Sequence, residues 1–98
     1  MPTKPLPGAM LLVAAFVAGG HGKADSHATV TVTELPQTVQ LADPTVSGIR
    51  KGWWFAPGLG PGTYEIAARV PHQACASVSL TVPSLPGAQY EVRIYCKR

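Results

Sequence analysis

Cys75 and Cys96 are the only thiols in this chain, and 20 residues lie between them. In an oxidising compartment such a pair reads as one disulfide. Closing a loop of that size stabilises a small fold by about 3 kcal/mol in the chain-entropy picture. Two free buried thiols are the alternative. A metal site on these sulfurs lacks ligands, because His72 is the only nearby histidine. Catalysis requires convergent groups, a nucleophile with its base or a pair of carboxylates. Here the acids stand singly, no serine occupies a nucleophile elbow, and Pro61 removes an amide from the glycine-rich GLGPG stretch. The residues therefore point to a non-enzymatic protein, with no cofactor expected.

One further grouping is conditional on processing. The chain opens with a lysine-bearing stretch, then an apolar run from Ala9 to Ala18 ended by Gly19 and Gly20. Ten apolar residues fall short of the roughly 20 needed to span a bilayer, but they suit the core of a secretory signal peptide. The expected domains are a signal peptide, residues 1–24, and an exported domain, residues 25–98. Cleavage is expected after Ala24, with Ala28 as the alternative. Cutting after Ala24 leaves Asp25, Ser26 and His27 as the new terminus. Its amine, two backbone nitrogens and an imidazole in third place make a square-planar set for Cu(II) or Ni(II). That set resembles the amino-terminal metal site of serum albumins. The plain alternative is a disordered end with an incidental histidine.

Residues 25–98 carry six Lys or Arg against five Asp or Glu, a net charge of +1 compared with +3 for the whole chain. This balance argues against a nucleic-acid partner, which calls for a concentrated basic face. No membrane span is expected in the processed chain.

The elements that must position any site are strands. ATVTVTEL alternates Val30 and Val32 against threonines, and Pro36 ends it. Thr38 to Leu41 and Val46 to Arg50 are candidate short strands, followed by the aromatic triplet Trp53 to Phe55. TYEIAARV sets Tyr64, Ile66, Ala68 and Val70 on one face. CASVSLTV does the same with Ala76, Val78, Leu80 and Val82, and AQYEVRIYC with Tyr90, Val92, Ile94 and Cys96. The expectation is all-β, a small antiparallel sandwich or open barrel of about six strands with one disulfide. If the last two strands form a hairpin, matching apolar faces sets Val82 opposite Tyr90 and Val78 opposite Ile94. Ala76 then faces Cys96, and Cys75 must reach inward through a bulge near residues 73–76.

Leu59-Gly60-Pro61-Gly62-Thr63-Tyr64 resembles the L-x-P-G-T-Y turn of small bacterial β-sandwich modules. These are the transthyretin-like, carboxypeptidase-regulatory-like, PEGA-like and Cna-B-like domains. The resemblance implies a structural or adhesive role. The chain is shorter than those modules and shows no lysine, asparagine and acid set for an isopeptide cross-link. Beside this turn stand Trp53 and Trp54, which must point to opposite faces if they share a strand. One is expected in the core and the other outward or over an edge, either simply packed against a loop or hairpin edge or, flanked by Arg50, Lys51 and Arg69 with Leu59 nearby, forming a contact surface. The functional expectation is an exported module, periplasmic or extracellular, that binds another protein or an envelope component. Two alternatives are a small inhibitor of a protease or lysozyme presenting the rigid Pro/Gly loop, and metal binding at the amino terminus.

Overall fold

The computed structural model describes residues 8–84 and 87–98, and Lys4 and part of the expected 83–87 loop lie outside them. Among the described residues every regular element is a strand: β1 (Ala9–Phe16), β2 (Thr29–Glu34), β3 (Gln37–Gln40), β4 (Trp54–Leu59), β5 (Gly62–Arg69), β6 (Ala74–Cys75), β7 (Val78–Val82) and β8 (Gln89–Lys97). They form two four-stranded sheets, in the orders β4-β1-β8-β6 and β3-β2-β5-β7. Among the described residues no helix is long and apolar enough to cross a membrane.

The expected faces of β2, β5 and β8 hold. Val30, Val32, Tyr64, Ile66, Val92, Ile94 and Cys96 all enter one core between the sheets. The outer face of the second sheet stays polar, with Thr33 and Thr38 hydroxyls 2.9 Å apart across the β2–β3 hairpin. Such one-sided burial is what alternation encodes.

The apolar run near the amino terminus has a role that the reading of it as a leader did not include. In this structure Ala9–Phe16 is the interior strand β1, antiparallel to β4 and parallel to β8. Its inner residues Leu11, Val13 and Ala15 are completely buried, and so is Ala14 on the outer side. A strand covered on both faces loses the apolar–polar alternation and reads as a continuous hydrophobic run, as this one does. The same residues cannot be a removed leader and an interior strand in one molecule. Close packing continues upstream, since a Cβ on Gly8 would lie 2.5 Å from the backbone of Gly58.

Three expectations are corrected. Val46 to Arg50 is not a strand but a bend and turn, with Val46 and Ile49 fully in solvent. The stretch from Cys75 to Val82 is two strands, because the chain leaves the first sheet after Cys75 and joins the second at Val78. The β7–β8 hairpin does not form. β7 pairs with β5, placing Tyr64 opposite Leu80 and Ile66 opposite Val78. Cys75 therefore sits directly across from Cys96, with Ala74 across from Lys97, and the disulfide joins them. The physical reason is burial: β6 meets β8 only through Ala74 and Cys75, and the chain then crosses to the second sheet, where Val78, Leu80 and Val82 pack against the shared core beside β5.

Candidate functional site

The two tryptophans do point opposite ways, yet neither is exposed. Trp54 is in the main core, 2 % exposed, paired with Val13 of β1. Trp53 lies on the outer side of the first sheet with Leu12 and Ala14, bordered by Phe16 and Ala24. Arg50 and Arg93 cover it, their guanidinium carbons 4.9 and 5.2 Å from the ring centroid. Cation–π contacts of this kind close an aromatic surface that would otherwise face water. The free aromatic platform expected of one tryptophan is thus already occupied by the chain's own arginines.

Arg50 is itself fixed by an ion pair with Glu91. The hydrogen bond and charge of Arg50, helped by Arg93, hold the Glu91 carboxyl below the usual carboxylate range. A depressed carboxyl contributes stability above its ordinary pKa and loses that contribution as pH falls through its folded value. Glu91→Gln is therefore expected to flatten the acid limb of stability against pH, measured by urea unfolding from neutral pH downward. The effect should be small, because both partners are solvent-accessible and screened.

Lys51 is exposed beside this cluster, and Leu59 lies at the other end of β4, half-buried. The expected contact residues are thus divided among three places: Trp53, Arg50 and Lys51 outside the sheet, Trp54 in the core, and Leu59 in a cleft. Asp25, Ser26 and His27 lie in the connection from β1 to β2, the His27 ring 3.7 Å from the Asp25 carboxylate. In the intact chain the Asp25 amide donates to the Ala15 carbonyl at 2.8 Å.

The cleft at Leu59 was not foreseen. β3 and β4 are the edges of their sheets on the same side of the sandwich, and a space of about 530 Å³ opens between them. Val39, Leu41, Phe55 and Leu59 form its apolar walls, with Leu35 at its rim. Leu35, Val39 and Phe55 are all strongly exposed. Exposed apolar side chains gathered in one patch, rather than scattered, mark interaction surfaces.

Glu34, Gln37, Gln40 and Tyr64 are the polar groups that line the cleft. The Tyr64 hydroxyl donates to the Gly60 carbonyl at 2.7 Å. Burial, reinforced by the nearby Glu34 carboxylate, pushes its pKa above the ordinary phenol value. The group therefore remains a neutral donor throughout the physiological range, and the cleft gains no charge from it.

Among the described residues no group of three or more His, Cys, Asp or Glu side chains is placed to hold a metal ion. No protein-family model and no curated protein matches this chain.

Proposed function

We propose that the protein is a non-enzymatic binding module whose cleft takes an extended peptide segment as an added strand on β3. One observation supports this above others: an unpaired strand edge borders an apolar opening. Among the described residues β3 pairs only with β2, and all four of its residues are exposed. A peptide laid along that edge gains main-chain hydrogen bonds, while alternate side chains drop between Val39, Leu41, Phe55 and Leu59. The β4 edge is the poorer template, because Pro57 lacks an amide hydrogen. The occupant is thus a partner protein contributing a strand with apolar residues at every second position.

The disulfide supports work in an oxidising compartment, periplasmic or extracellular. The inhibitor alternative has less support, since Pro57, Gly58 and Leu59 belong to β4 and leave only Gly60 and Pro61 to project.

The test is titration of isotope-labelled protein with a short peptide of alternating valine and threonine. Saturable shifts and slowed amide exchange are expected at Gln37 to Gln40. Val39→Asp and Phe55→Asp, both exposed and so tolerated by the fold, are each expected to weaken binding about tenfold or more. Shifts confined to other strands, or equal affinity in both variants, would reject the cleft as the binding site.

A further inference from the structure

A second concavity, sharing no lining residue with the cleft, lies on the outer side of the β4-β1-β8-β6 sheet. Its volume is about 520 Å³, within the range of small-molecule sites. Lys23, Lys51 and Arg93 surround it, Phe16 and Trp53 form its aromatic base, and Ala24 and Gly52 complete the wall. No carboxylate lines it.

The loop that carries Lys23 approaches closely for a specific reason. Gly52 is buried at φ +85°, and a Cβ there would meet the Ala24 carbonyl oxygen at 3.0 Å. A glycine at this point lets two backbones come together and brings Lys23 and Lys51 to one rim.

Arg93 gives the hollow its chemistry. Its guanidinium carbon is 5.2 Å from the Trp53 centroid and 5.9 Å from that of Phe16. Contact with two nearly perpendicular rings restrains the guanidinium beside the hollow. The one carboxylate near it, Glu91, is committed to Arg50, and its second oxygen is 3.8 Å from Arg93. Neither Lys23 nor Lys51 forms an ion pair among the described residues. Three positive charges around an aromatic base, with one weak internal counter-charge, fit an external anion.

We propose that this hollow binds a small organic anion, its carboxylate or phosphate held by Arg93, Lys23 and Lys51 and its apolar body resting against Phe16 and the small part of Trp53 that the arginines leave open. A planar fork of donors matches two oxygens of either group at once, and the lysines add point charges. The site is independent of the peptide cleft, so each can fail without the other.

The experiment titrates the full chain separately with phenyl phosphate, benzoate and inorganic phosphate. It follows the two tryptophan indole N–H signals, assigned through Trp53→Phe. Saturable movement of the Trp53 indole and the Gly52 amide is expected with at least one organic anion, while the Trp54 indole stays in place. The two organic arms distinguish carboxylate from phosphate. Arg93→Gln and Lys51→Gln are each expected to weaken binding about tenfold; Lys51 is exposed, so its variant keeps the fold. An absence of saturable Trp53 shifts with both organic anions would overturn the proposal, and so would unchanged affinity in both variants. Inorganic phosphate binding as tightly as phenyl phosphate would overturn the part assigned to the aromatic base.

Discussion

Val13→Asp is expected to unfold the protein. Val13 is fully buried, hydrogen-bonded in register with Trp54 on one side and Val92 on the other. A carboxylate there has no partner, so it must either remain charged in an apolar interior or take up a proton, and both cost several kcal/mol. A domain of this size has only about 5–15 kcal/mol in total. Met10→Asp is the matched control, since Met10 is on the same strand but at the exposed outer edge. It should leave a folded chain. Urea unfolding followed by circular dichroism separates the two outcomes.

Removal of residues 1–24 should act like Val13→Asp, and for the same reason. It takes away the strand that joins β4 to β8, leaving those two strands without the partner they share. A chain starting at Asp25 is expected to show poor chemical-shift dispersion and slow, incomplete disulfide formation. A natively folded chain that begins at Asp25 would remove β1 from the essential core and support the reading of this segment as a leader. Intact mass of the folded protein recovered from an exporting cell gives the same decision without truncation.

Trp54→Ala is expected to cost about 3–5 kcal/mol, the usual range for deleting a large buried aromatic. Trp54 is among the largest completely enclosed side chains and touches the core from the first sheet. The site cannot collapse easily, because the β1 backbone fixes one wall. Trp53→Ala should cost less, since the cluster beneath it is small and Arg50 and Arg93 can settle over the gap. Thermal melting ranks the two. In the unmodified protein both tryptophans should emit at short wavelength and resist acrylamide quenching. A red-shifted, readily quenched component assigned to Trp53 would mean that the arginine cover is open in solution.

Much of the fold was written locally. The alternation of Val30 and Val32 against threonines, of Tyr64 and Ile66 against Glu65, and of Val92, Ile94 and Cys96 against Glu91, Arg93, Tyr95 and Lys97 determines which side of each strand meets the core. Strand parity is a nearest-neighbour property, and so the sequence carries it directly. The presence of a disulfide follows equally simply, from two cysteines and no competing ligands.

Partner choice is a different kind of information. Two strands with apolar faces can pair in several ways, and the winning arrangement depends on every other strand competing for the same edge. β7 and β8 offered a plausible hairpin, but β8 pairs with β1 along one edge and with only Ala74 and Cys75 on the other, while β7 joins β5. Cys75 lies directly opposite Cys96, and β3 and β4 are edge strands that border one cleft. Phe55 is far along the chain from Leu35 and Val39, and Lys23, Lys51 and Arg93 are far from one another; only the assembled sheets bring each set together. Residue types and parities belong to the sequence of this protein; which residues share a surface was decided by competition for strand edges.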